Sequence, residues 1–96
     1  MASLLVVGAD HLGHITDKLA DSGFREIIHV SGRKVNMVKR GIPEHVDAVL
    51  VMTDYINHNL SKKVKEKAKS KDKPIYFVKR SWSSIHAVLE QLEKHA

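Results

Sequence analysis

Polar side chains that could bind an anionic ligand follow each of the short apolar runs in this sequence. Arginine and lysine supply the charge that attracts an anion, and histidine, serine and aspartate supply hydrogen-bonding groups that orient it. Arg33 and Lys65 are expected to hold the anion, and Asp54 is expected to orient His58 or to cap its helix. The full predicted site consists of Asp10, His29, Ser31, Gly32, Arg33, Asp54, His58 and Lys65.

No catalytic arrangement is evident among these residues. Nothing sets a nucleophile beside a general base at a recognisable spacing, so the sequence favours binding over catalysis without deciding between them. It names no cofactor.

The turn at residues 8–13 invites comparison with two known kinds of phosphate site. A dinucleotide-binding turn needs a middle glycine, but position 10 is an aspartate whose carboxylate would repel phosphate. Arg33 could still bind the 2′-phosphate of such a dinucleotide.

Asp54 follows an apolar run, as the phosphoacceptor of a receiver domain does. A receiver domain, however, needs two acidic residues after its first strand, and only one acidic residue follows the first apolar run here. Both comparisons are therefore weak.

Histidines raise the alternative of a metal site. Four of the seven could lie on one side of the fold together with two carboxylates as hard ligands. No tight ligand spacing is present on one helix, so a metal site stays an alternative that the sequence does not favour. The residues in question are His11, His14, His29 and His58, with Asp10 and Asp54.

Positive charge is concentrated in one segment. Residues 61–73 contain seven lysines and two acidic residues, and their local charge equals the +5 of the whole chain. A lysine-rich helix is often simply solvated, and there is little aromatic interleaving for base stacking. Nucleic acid binding is therefore not favoured, and it is not excluded.

Strands and helices must alternate to position these side chains. Apolar runs predict strands at about residues 4–8, 25–30, 46–52 and 75–78. Helical spacing of apolar residues predicts a helix from about residue 12 to Gly23, a second at 57–70, and a third after a Ser81 cap. Residues 34–41 are expected to form a short helix or an irregular crossing, with Val35 and Val38 turned inward.

This alternation predicts a single α/β domain over residues 1–96. Its parallel sheet is expected to have the strand order 2-1-3-4, as a doubly wound, flavodoxin-like or half-Rossmann three-layer sandwich. In such sheets a ligand binds at the carboxyl ends of the strands. A sheet of four strands leaves edges uncovered, so we expect a homodimer or a higher homo-oligomer.

The amino-acid composition indicates the cellular compartment in which the protein is expected. The chain has no cysteine, which excludes disulfides and thiolate metal sites and fits a reducing cytoplasm. No signal peptide and no stretch of membrane-spanning length are found, so we expect a cytoplasmic protein without a membrane partner.

Three motifs are similar to those of a known bacterial family. The second predicted strand ends in His29-Val30-Ser31-Gly32, and the last helix starts with Ser81-Trp82-Ser83-Ser84. The most specific motif is Asp54-x-x-x-His58 with Lys65 seven residues on. With these motifs nearly the whole chain resembles the family known as domain of unknown function 2325.

The resemblance implies this α/β fold and a site around these motifs, and it brings no established reaction. Many relatives look as though they carry a cysteine in the second helix, where this chain has Ala68 or a neighbour. A role that depended on that thiol could not be shared.

We therefore expect a protein that binds a nucleotide or phosphometabolite at the carboxyl edge of its sheet. The main alternative is a structural or interaction protein that acts as an oligomer with no small ligand. Metal or nucleic acid binding is a further alternative.

Overall fold

The computed structural model describes residues 3–31, 42–54 and 56–95, without the side chains of residues 92–95. The four strands form one parallel sheet in the order β2-β1-β3-β4, which confirms the predicted fold. The predicted crossing at residues 34–41, with Val35 and Val38, lies outside the described residues. The elements are β1 (Ser3–Val7), α1 (His14–Asp21), β2 (Glu26–Val30), β3 (Ala48–Met52), α2 (His58–Ser70), β4 (Ile75–Val78) and α3 (Trp82–His95).

The two central strands, β1 and β3, are buried along their whole length. Successive side chains of a strand point to opposite faces of the sheet, so each central strand supplies both cores. In β1, Leu4 and Val6 pack on the face covered by α1 and α3, whereas Leu5 and Val7 pack on the face covered by α2. Continuous apolar runs are thus required here, as expected for a parallel sheet covered on both sides.

The connections change faces between β1 and β3. Helix α1 follows β1 on one face of the sheet, and α2 follows β3 on the other. The loops after these adjacent strands therefore leave the sheet in opposite directions, which opens a crevice at the carboxyl edge. Each helix begins at that edge because each follows a parallel strand.

Within the described chain, every helix falls short of the length or the hydropathy that a bilayer crossing requires.

Candidate functional site

A tight turn after β1 forms one wall of the crevice. Gly8 has a φ of 118°, and a Cβ at this position would lie 2.9 Å from the Cβ of Met52, the last residue of β3. Its amide donates a hydrogen bond to the carbonyl of Val30 at the end of β2 (2.9 Å). Ala9 also has a positive φ, of 64°. Glycine is required at position 8 because the backbone passes against β3 with no room for a side chain.

His29 holds this turn from the neighbouring strand. Its Nε2 lies 2.9 Å from the carbonyl oxygen of Gly8 and 3.0 Å from that of Ala9. Because both partners are acceptors, Nε2 must carry the proton and donate to them. The half-buried imidazole therefore shapes the wall of the site through the backbone of the turn.

Asp10 and Ser31 join the loops that follow β1 and β2. The hydroxyl of Ser31 donates to Oδ1 of Asp10 over 3.2 Å. These two predicted site residues are thus brought together with His29. Their predicted neighbours Gly32 and Arg33 lie outside the described residues.

Asp54 has a different role from the one expected. Its Oδ1 accepts a hydrogen bond from the backbone amide of Arg80 (3.0 Å), the second residue after β4. The cap of α2 is Asn57, whose side chain accepts from the amides of Asn59 (2.8 Å) and Leu60 (3.4 Å). An N-cap stands immediately before the helix, with extended backbone, and Asn57 fills that position. Asp54 instead lies two residues after β3, beside the loop that follows β4, and its carboxylate accepts from the amide there.

Arg80 connects three parts of the rim, and the predicted set of site residues did not include it. Besides its amide contact to Asp54, its guanidinium donates from Nε (3.0 Å) and Nη2 (2.8 Å) to the carbonyl of His11, in the loop after β1. This side chain therefore crosses from the loop after β4 to the loop after β1. The position of Arg80 just after the fourth strand was the one indication in the sequence that it could belong to the site. Its contact with His11 joins residues 69 positions apart, and the spacing of neighbouring residues in the sequence does not predict such a contact.

His58 and Lys65 both lie exposed on α2. His58 is the first residue of the helix and so stands at the carboxyl edge of the sheet. Lys65 is seven residues further, about 10 Å along the axis at 1.5 Å per residue and away from that edge. Within the described chain, the carboxylate of Asp54 bonds to Arg80 and not to His58. The structure therefore does not bring Lys65 to the rim.

Serines at the start of α3 complete the described rim. The hydroxyl of Ser81 accepts from the amide of Ser84 (3.3 Å), which confirms the predicted cap, and it donates to the hydroxyl of Ser84 (3.1 Å). Trp82, the single tryptophan of the chain, is half-buried directly beside this cap, with the amine of Lys18 5.5 Å from its ring centroid.

The arrangement places positive charge at the carboxyl edge of the sheet. The positive ends of three helix dipoles meet at one edge, and Arg80 adds a fixed positive charge between the loops. Among the described residues, no serine or threonine hydroxyl bonds to a histidine, and no three histidine, aspartate or glutamate side chains are grouped to hold a metal ion.

Comparisons with known proteins identify the family. A de novo designed Rossmann-fold protein is similar in structure, with a TM-score of 0.44 and 24% sequence identity over 82% of this chain and 86% of the designed one. No curated protein matches the sequence. The model of a family described as "uncharacterized protein conserved in bacteria", DUF2325, matches residues 3–92. The match spans six of the seven secondary-structure elements and α3 as far as residue 92, and the chain belongs to the DUF2325 family.

Proposed function

We propose that this protein binds an anionic small molecule, a nucleotide or phosphometabolite, in the crevice between the loops after β1 and β3. The observation that carries the proposal is the placement of Arg80. Its amide is bound by Asp54 and its guanidinium by the carbonyl of His11, so a positive charge is fixed across the crevice. Open α/β sheets bind their ligands at this point.

The charges around Arg80 indicate how such a ligand would be oriented. The carboxylate of Asp10 repels a phosphate on the β2 side of the crevice. We place the phosphate on the side of Asp10 away from Ser31, within reach of the guanidinium of Arg80 and of His58 at the start of α2. The less charged part of the ligand then faces the β1 turn, whose shape His29 maintains.

Binding can be measured through Trp82, which lies two residues from Arg80 and is the chain's one tryptophan. Titration with a panel of nucleotides and sugar phosphates is expected to change its fluorescence and to raise the melting temperature. A ligand present at 100 times its Kd stabilises the folded state by about 2.7 kcal/mol. For a domain of this size, each kcal/mol corresponds to a shift of about 4–8 °C.

Two variants distinguish the site from general electrostatic attraction. Arg80→Gln is expected to weaken binding at least about tenfold, the size of one charge-assisted hydrogen bond. Lys79→Gln removes the same charge from the exposed neighbouring residue and should bind normally. Unchanged fluorescence and melting temperature across the panel, or equal losses in both variants, would contradict the proposal.

The alternative is an assembly protein without a small ligand, and one observation favours it. Phe77 lies on the edge strand β4 and is 44% exposed, the large hydrophobic residue most open to solvent in the described chain. The unpaired backbone groups of an edge strand can pair with a second copy of the chain, and the exposed apolar side chain of Phe77 lies on that strand. Sedimentation analysis of the wild type and of Phe77→Ser tests the assembly hypothesis. A wild-type dimer that dissociates in the variant would support this hypothesis, and a monomeric wild type would refute it.

A cytoplasmic location remains a prediction, supported by the cysteine-free composition.

A further inference from the structure

Helix α2 presents a row of cationic side chains along one flank. Lys62, Lys65 and Lys69, here called the lysine stripe, are spaced by three and four residues and are all exposed. At 100° per residue they fall within a sector of about 60°, and they extend over about 10 Å of the helix axis. The buried side of the same helix is the row formed by Leu60, Val64 and Ala68.

The charge of the lysine stripe is not neutralised within the described chain. The ion pairs of this region involve Lys71 with Glu44, and none involves a stripe lysine. The one acidic residue of α2, Glu66, lies on the next row of the helix, between the stripe and Lys63. Glu66 stands four residues from Lys62 and three from Lys69 without an ion pair to either, so this flank keeps a net positive charge toward solvent.

We propose that the lysine stripe binds the phosphate backbone of duplex nucleic acid. Lysine is depleted at protein–protein interfaces, which rely on aromatic residues, methionine and arginine. Insertion at a membrane surface needs apolar side chains beside the basic ones, and the stripe has none. A single strand is held largely by aromatic stacking, whereas Phe77, the exposed aromatic residue of the described chain, stands on β4. Phosphates bind lysine by charge alone, and a duplex presents them in a regular row along its axis.

The dimensions of the stripe suit this partner. A DNA duplex carries one negative charge per about 1.7 Å of its axis, so about six phosphates lie along 10 Å. Each of the three lysines can therefore reach a phosphate. Three such contacts predict that log K falls with log salt with a slope of about −2.7, a loss of about forty-fold between 50 and 200 mM salt.

The test measures binding of the full chain to a fluorescein-labelled DNA duplex by anisotropy at several salt concentrations. The stripe variant is Lys62→Gln with Lys69→Gln. Its matched control is Lys63→Gln with Lys67→Gln, which removes two charges from the opposite flank of the same helix. Glutamine and lysine have similar helix propensities, and circular dichroism checks that both variants fold.

The slope of log K against log salt is expected to be about 1.8 smaller in magnitude for the stripe variant than for the wild type, because two phosphate contacts are lost. The control variant should keep the wild-type slope. Three results would overturn the proposal. They are a wild type that does not bind the duplex in a salt-dependent manner, equal losses in both variants, and equally tight binding to phosphatidylserine vesicles or to polyglutamate. None of these results depends on whether a small molecule binds at the rim.

Discussion

Replacing Gly8 by alanine gives the most direct test of the β1 turn. A Cβ added there would stand 2.9 Å from the Cβ of Met52 and 3.0 Å from its carbonyl oxygen, on a backbone with a φ of 118°. The second neighbour is main chain of the central strand β3, which cannot rotate away. The substitution therefore combines backbone strain with a collision inside the sheet.

Gly13 provides a matched comparison because it shares only one of these costs. Its φ is also positive, at 56°, but a Cβ there would meet nothing closer than the guanidinium of Arg80 at 3.7 Å. Backbone strain costs about 1–3 kcal/mol, and overpacking costs a further 1–3 kcal/mol or so. Gly8→Ala should thus lower the free energy of unfolding by about 2–6 kcal/mol, and Gly13→Ala by about 1–3 kcal/mol.

Urea denaturation followed by Trp82 fluorescence measures both values, and Ala9→Gly serves as a further control. Ala9 already has a φ of 64°, so its replacement relieves strain, while it loosens the unfolded chain and removes a buried methyl group. These effects oppose one another, and the net change should stay within about 1 kcal/mol. The melting temperature of Gly8→Ala should fall by at least about 8 °C. Equal losses in Gly8→Ala and Gly13→Ala would refute the close approach of the turn to β3.

Three further predictions concern single interactions. Asn57→Ala removes the cap of α2 and should cost about 1 kcal/mol in urea denaturation; an unchanged midpoint would argue against the cap. His29→Ala leaves two carbonyls of the β1 turn without their donor and should cost about 1–3 kcal/mol, a loss that Arg25→Ala at the exposed surface should not reproduce. The hydrogen bond and charge of Lys71 lower the pKa of Glu44 below its ordinary value of 4.5. The stability that Glu44 contributes is therefore present above that pH and is lost as the pH falls through the folded-state value. Wild type should exceed Glu44→Gln in stability at neutral pH and match it in acid, and a difference that persists in acid would contradict the ion pair.

Local patterns in the sequence were sufficient to predict the secondary-structure elements and the order of the strands in the sheet. Apolar runs predicted β4 to the residue, and the other strands and helices to within about two residues, the usual uncertainty of element ends. Ser81 was identified as a cap because capping acts over three residues of chain. The order 2-1-3-4 followed because right-handed crossovers leave few arrangements for alternating strands and helices.

Contacts between loops could not be predicted from local patterns in the sequence. The sequence indicated that Asp10, His29, Ser31 and Asp54 end neighbouring strands, but it assigned Asp54 to the start of α2, where Asn57 acts instead. It also left Arg80 out of the site. The geometry that binds Arg80 to Asp54 and His11 depends on strand register and on how closely β1 approaches β3, and both are set by packing across the sheet. The sequence by itself thus determined that these polar loops follow neighbouring strands at one edge of the sheet, and only the tertiary structure decided which side chains meet there.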